Sequence, residues 1–150
     1  MSTPQTSAAA PAAQPTPGPN RVIATWRGER RFDAGRPGGP TARIDGDAET
    51  GQSPVDALLS ALASCAAIDV VDILKKRRTP VASLEVEALG TRVNSTPRRL
   101  EHVLLRFRIT GEGIERDQAL RAIELSVTKY CSVRDSLDPK IPVEWELELE

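Results

Sequence analysis

The sequence predicts an α+β fold, and three observations carry that prediction. A strong helix-start signal at Ser53-Pro54 opens a long stretch without a helix breaker, up to Pro80. The C-terminal run from Pro142 to Glu150 alternates strictly, with Val143, Trp145, Leu147 and Leu149 on one side and four glutamates on the other, as a half-buried strand does. The order strand, strand, helix, two strands, helix, strand then groups the elements in the manner of α+β domains rather than of a regular βαβ repeat.

The first twenty residues, MSTPQTSAAAPAAQPTPGPN, hold almost nothing large and apolar, so a disordered tail is expected at 1–20 and one domain over 21–150. Arg21 to Phe32 reads as a strand, with Val22, Ala24 and Trp26 alternating against polar neighbours. Asp33 to Pro40, rich in Gly and Pro, must turn. Thr41 to Asp45 follows as a short strand, and Gly46 to Gln52 as a loop.

Ser53 is a good N-cap, Pro54 suits the first helical position, and Asp56 stands where the acid of a capping box belongs. The helix is expected to end near Arg77, where Lys75 to Arg78 complement its dipole. Leu58, Leu62, Cys65 and Asp69 share one face. Seven small residues between Ala57 and Ala67 leave the middle of the helix thin. Either another backbone approaches there, or the helix is buried on most sides.

Val81–Val93 and Leu100–Ile109 read as an antiparallel hairpin around the turn Asn94 to Pro97. A second helix starts near Glu115, with Leu120, Ile123, Val127 and Tyr130 as its apolar stripe.

Composition excludes several functions. Lys plus Arg (20) nearly balances Asp plus Glu (21), so no basic excess points to nucleic acid. Aromatics are only 3% of the chain, too few for a base-stacking surface, and they leave a modest core that extra burial in a homodimer would reinforce. The most apolar run, Ala57–Ala67, is short and closed by Asp69 and Asp72, so no membrane span is expected. Two cysteines and one histidine are too few for a closed zinc site, and no metal or cofactor is expected. Two cysteines without a secretory signal suggest reduced thiols in a cytoplasmic protein.

With no phosphate loop, nucleophile elbow or paired-carboxylate motif, Cys65 and Cys131 are the most reactive groups. Cys65 sits mid-helix among small residues, where a cysteine is commonly a small buried hydrophobe. Asp69, one turn on, opposes its thiolate, so a reactive Cys65 would need a cation nearby. Cys131 lies in a helix that either continues through Tyr130 or stops there. In the second case Ser132-Val133-Arg134-Asp135 starts a fresh helix, and the helix terminus favours a Cys131 thiolate. A buried thiol at a helix-to-strand junction is the plainer alternative.

Ser53-Pro54-Val55-Asp56-Ala57-Leu58-Leu59, Cys65, and Ile68-Asp69-Val70-Val71-Asp72-Ile73-Leu74 together resemble the central helix of the OsmC/Ohr family, and Lys129-Tyr130-Cys131-Ser132-Val133 resembles its second cysteine motif. The resemblance covers residues 21–150. It implies an intertwined homodimer with antiparallel strands around a long central helix and two active sites at the subunit interface. It also implies reduction of organic hydroperoxides or hydrogen peroxide, with Cys65 peroxidatic, Cys131 resolving through a disulfide, and an external dithiol as reductant. The family's glutamate after the helix-starting proline is Val55 here, with Asp56 the nearest acid. The family's activating arginine has five candidates: Arg27, Arg30, Arg31, Arg36 and Arg43. Helix position favours Cys131 as the more acidic thiol, whereas the resemblance gives first attack to Cys65. Two other functions compete: a non-catalytic dimeric domain binding a small hydrophobic ligand, and a thiol redox switch without turnover.

Overall fold

A computed structural model describes residues 17–150. Residues 1–16 of the expected tail lie outside the described residues, and residues 17–22 lead without regular structure into the first strand. The fold is α+β, as the sequence predicts, with two three-stranded sheets and one long helix.

The first sheet contains β1 (Ile23–Trp26), β2 (Arg31–Gly35) and β3 (Thr41–Asp45), all antiparallel. The single strand expected over Arg21–Phe32 is therefore two strands joined by a tight turn. Gly28 and Glu29 adopt positive φ values of 96° and 50°, and the Trp26 indole donates to the Glu29 carbonyl at 2.9 Å. A charged turn, Arg27 to Arg30, is invisible to a search for apolar alternation. The Gly/Pro turn is also shorter than expected, because β2 continues to Gly35.

Asp45 ends β3 and is fully buried. Its carboxylate accepts from the Asp47 N–H (2.9 Å), the Thr50 N–H (3.0 Å) and the Thr50 hydroxyl (2.7 Å). These bonds close the loop leading to α1 (Pro54–Lys76). Helix α1 begins with the expected capping box: Ser53 accepts from the Asp56 N–H, and Asp56 accepts from the Ser53 N–H. Lys75 and Lys76 fill its last turn.

The second sheet has the order β4 (Ser83–Arg92), β5 (Leu100–Thr110), β6 (Val143–Leu149). β4 and β5 form the expected antiparallel hairpin, but β6 runs parallel to β5. The expectation of antiparallel strands fails at this pair. The connection from β5 to β6 contains helices, and parallel neighbours require such a long crossover. On the exposed face, Arg106 lies between Glu87 (3.6 Å) and Glu146 (3.1 Å), Arg108 lies between Glu85 (2.7 Å) and Glu148 (3.1 Å), and His102 hydrogen-bonds Glu144 (2.7 Å).

One apolar core joins α1, the inner face of the second sheet and α2 (Arg116–Leu125). Helix α1 contributes Leu62, Ala66, Val70 and Leu74, all essentially inaccessible, and β5 contributes Val103, Leu105, Phe107 and Ile109. At Gly90 the helix sits so close to the sheet that a Cβ would come within 2.9 Å of Leu59 and 2.7 Å of Leu100. The covered stripe of α1 is one position off the face read from sequence. Leu58 is 38% exposed and Ile68 61%.

By length and composition, α1 meets the criterion for a membrane crossing, which the run Ala57–Ala67 alone does not, and only 28% of its apolar window is buried. Its buried stripe, packed on the sheet and against α2, is that of a core helix.

Asp45 generates an acid-stability prediction. Its hydrogen bonds hold its carboxyl well below the usual carboxylate range, with Arg31 adding a smaller attraction. A depressed folded-state value contributes stability that is present above the unfolded value of about 3.9 and lost as pH falls further. Urea midpoints measured from pH 5 down to pH 2 are expected to fall less steeply for Asp45→Asn than for the parent chain. Parallel curves would exclude Asp45 as a source of the acid sensitivity.

Candidate functional site

The two cysteines come together across the contact between α1 and the segment following α2. Helix α2 starts at Glu115, as expected, but does not continue smoothly. Ser126–Tyr130 form a π-helical turn, and Cys131 donates its N–H to the Ser126 carbonyl at 2.8 Å. The extra residue in this turn rotates the chain beyond it. Tyr130, expected on the apolar stripe, is 53% exposed, whereas Cys131 is 3% exposed and turned inward.

A fresh four-residue helix, α3 (Ser132–Asp135), begins immediately after Cys131, which is its N-cap. Of the two alternatives open from the sequence, the interrupted helix is the one adopted. The Cys131 sulfur accepts the Arg134 N–H at 3.4 Å. Arg134 in turn donates to the carbonyls of Asp138 (3.3 Å) and Ile141 (2.8 Å), tying the short helix to the entry of β6.

Ser126 joins the two halves of the site. Its hydroxyl is fully buried and lies 3.0 Å from the Ala66 carbonyl and 3.1 Å from an Asp69 carboxylate oxygen. Both acceptors are on α1, immediately past Cys65. Nothing in the sequence pattern singles out this serine. Ser132 is the other residue missed: its hydroxyl lies 3.9 Å from the Cys65 sulfur.

Both thiols are free. Burial raises the Cys65 thiol, but the Val133 N–H, the Cys131 thiol and the Ser132 hydroxyl together outweigh it, and the net direction is downward despite an opposing contribution from Asp69. Burial pushes the Cys131 thiol up to about 11, against the Arg134 N–H, and the neighbouring Cys65 pushes it the same way. The helix-terminus argument for a more acidic Cys131 is thus overturned. One turn of helix supplies a donor, and desolvation of the thiolate costs more.

Among the described residues no cation bonds or pairs with Cys65. Arg27 and Arg43 pair with Asp33, Arg30 with Asp47, and Arg31 with Glu29, Asp45 and Glu49. Arg36 lies exposed at the turn after β2. Among the described residues, none of these five bonds or pairs with Cys65. Val55 is packed against the core, and Asp56 is engaged in the helix cap. A group of three or more metal-ligating side chains is absent among the described residues.

Residues 46–146 match the family described as OsmC-like protein, a span that contains both thiols, every element from α1 to α3 and the first part of β6. The chain belongs to the OsmC-like family. It is 37% identical to protein YhfA of Escherichia coli K12 over 101 residues, covering 67% of this chain and 75% of that protein. A hypothetical protein of Aquifex aeolicus VF5 shares the fold at a TM-score of 0.76 and 27% identity, over 89% of this chain and 98% of the other. The organic hydroperoxide resistance protein OhrB of Bacillus subtilis shares it at a TM-score of 0.59 and 16% identity, over 85% and 96% respectively.

The local environment of this OsmC-like chain's thiols yields two substitutions of opposite sign. Ser132→Ala is expected to raise the pH midpoint of Cys65 alkylation by iodoacetamide, and Asp69→Asn to lower it. Peptide-resolved mass spectrometry across pH 6–10 reads both, and midpoints moving together would show that the hydroxyl and the carboxylate do not act as opposed influences on the thiolate.

Proposed function

We propose that this chain is a cysteine-based peroxidase that reduces organic hydroperoxides or hydrogen peroxide through a Cys65 sulfenic acid and a Cys65–Cys131 disulfide. The observation carrying this reading is the meeting of two free thiols, a partly accessible Cys65 on α1 and a buried Cys131 on the segment packed against it, with the Ser132 hydroxyl 3.9 Å from the Cys65 sulfur. Membership of the OsmC-like family, and a fold shared with an organic hydroperoxide resistance protein, support a peroxide-resistance or redox role in general.

The Cys65 thiolate attacks the nearer peroxide oxygen. The O–O bond breaks, Cys65 becomes a sulfenic acid, and the leaving alkoxide or hydroxide takes a proton to become an alcohol or water. Attack also removes the negative charge beside Cys131, relieving part of what holds that thiol protonated. Cys131 then attacks the sulfenic sulfur, a disulfide forms and water leaves. A dithiol reductant restores both thiols, and no cofactor or metal takes part. A cytoplasmic setting, where thiols stay reduced, suits this cycle.

The acting form is a homodimer. Ile23, Trp26 and Phe32 of the first sheet, Val22 just before it, and Leu58 and Ile68 of α1 are exposed large apolar residues that nothing among the described residues covers. A second copy covers them, and the cation missing at Cys65 comes from its arginines. The peroxide reaches the site at this interface. Nucleic acid and membrane play no part. Light scattering at micromolar concentration is expected to give twice the chain mass, and a monomer there would sink both the dimer and the interfacial site.

Stoichiometric peroxide followed by mass spectrometry tests the roles. The parent chain is expected to lose two hydrogens as the disulfide forms. Cys131→Ser is expected to gain oxygen on the Cys65 peptide, and Cys65→Ser to remain unreacted over the same interval. Oxygen uptake at Cys131 in Cys65→Ser, at the parental rate, would reverse the roles. No reaction faster than that of free cysteine would leave a ligand-binding domain in place of the enzyme, and a disulfide without sustained turnover under dithiol would mark a redox switch.

A further inference from the structure

We propose that Ser132 is a catalytic residue whose hydroxyl donates a hydrogen bond to the peroxide oxygen that passes to Cys65. The inference rests on the peroxidase reading and adds to it an oxygen-binding group supplied by the chain itself.

Position singles out this hydroxyl. It stands 3.9 Å from the Cys65 sulfur, in an exposed contact between α1 and α3. That is too far for a tight bond to the sulfur itself. Hydrogen bonds between oxygens run at about 2.7 Å, so an oxygen bonded to the sulfur on the Ser132 side comes within the hydroxyl's reach. The residue is also held before any substrate arrives. Its carbonyl accepts the Ser136 N–H at 3.1 Å and the Ser136 hydroxyl at 2.7 Å.

The proton of this hydroxyl is uncommitted. On α1, Ser60 donates to the Gln52 side chain and Ser64 to the Ser60 carbonyl, each at 2.8 Å. Beyond α2, Ser126 bonds to Ala66 and Asp69, Thr128 to the Glu124 carbonyl, and Ser136 to Ser132. Of these serine and threonine hydroxyls, that of Ser132 alone has no oxygen acceptor among the described residues. Ser132 is exposed and Cys65 partly so, which leaves their contact open to a small solute. Charged side chains do not compete for the task from within the chain: the arginines of the first sheet pair with acids, and Asp56 closes the cap of α1.

In the attack, the electron pair of the Cys65 thiolate forms the S–O bond, and the O–O bond breaks with its pair on the distal oxygen. The distal oxygen leaves as alkoxide or hydroxide and takes a proton from water. The sulfur loses two electrons and the peroxide gains them. The attacked oxygen keeps its hydrogen and becomes that of the sulfenic acid. Ser132 donates to a lone pair of this oxygen and keeps its own proton. The bond holds the peroxide with its reacting atom on the sulfur and draws electron density from the oxygen under attack.

The test compares two reactions of the full-length protein at pH 7. Rapid quenching and peptide mass spectrometry give the rates at which Cys65 reacts with tert-butyl hydroperoxide and with iodoacetamide. Alkylation uses the same thiolate but transfers no oxygen, so a change in thiol acidity or in folding moves both rates and leaves their ratio in place. Ser132→Ala is expected to lower the peroxide-to-iodoacetamide ratio about tenfold, the scale of one hydrogen bond. Ser132→Thr, which restores a hydroxyl, is expected to recover most of that loss. An unchanged ratio in Ser132→Ala, or an equal loss in Ser132→Thr, overturns the role of Ser132 and leaves the peroxidase reading standing. A parent chain whose ratio is no higher than that of free cysteine overturns the peroxidase reading and the role of Ser132 with it.

Discussion

The buried hydroxyl of Ser126 is the contact on which the geometry of the site depends. It has one proton and two acceptors, the Ala66 carbonyl and the Asp69 carboxylate, and both acceptors belong to the turn of α1 that follows Cys65. Losing that proton would remove a buried hydrogen bond between the two segments, at a cost of about 0.5–1.5 kcal/mol. The bond pins the start of the π-helical turn to α1, and the extra residue of that turn aims Cys131 inward. A regular helix of the same length would point another side chain at Cys65.

Where a side chain's job is local, the sequence reports it. The α1 cap was legible because Ser53, Pro54 and Asp56 act on their own neighbours, and the alternation of β6 was legible because a half-buried strand imposes a period of two. The turn at Gly28-Glu29 was not legible, since its charged residues break no apolar pattern until the register of β1 on β2 is known. The parallel placement of β6 depends on where the crossover lands, which alternation cannot reveal. The two thiols stood out by residue type alone. Their relative acidity did not, because a backbone donor at Cys131 is a local feature, whereas its desolvation depends on the whole core.

The thiol environments show how one neighbourhood gives two opposite outcomes. Cys65 lies at the edge of the buried stripe of α1, where burial is the largest single influence on its thiol but donors from the Cys131–Val133 segment together outweigh it. Cys131 supplies one of those donors and is in turn discouraged from ionising by the sulfur it serves. Small residues flanking Cys65 on α1 give that segment room to approach. The thin middle of the helix is therefore less a sign of weak packing than a condition for bringing a second chain segment within reach of a sulfur atom.

The charged rows on the second sheet bear on how the protein avoids unwanted self-association. β4 and β6 are the two edges of that sheet, and unpaired edges are templates for fibrillar stacking. Along β6, Glu144, Glu146 and Glu148 all project from one face at every second position. A foreign strand of the same sequence adding there would bring one row of carboxylates against another. The arginines of β5 neutralise the row only from within, since each is already held between two glutamates. Individually such exposed pairs add little to stability. Their collective effect is gatekeeping: a like strand that approaches this edge meets a row of its own charge, while the apolar surfaces elsewhere carry no such row.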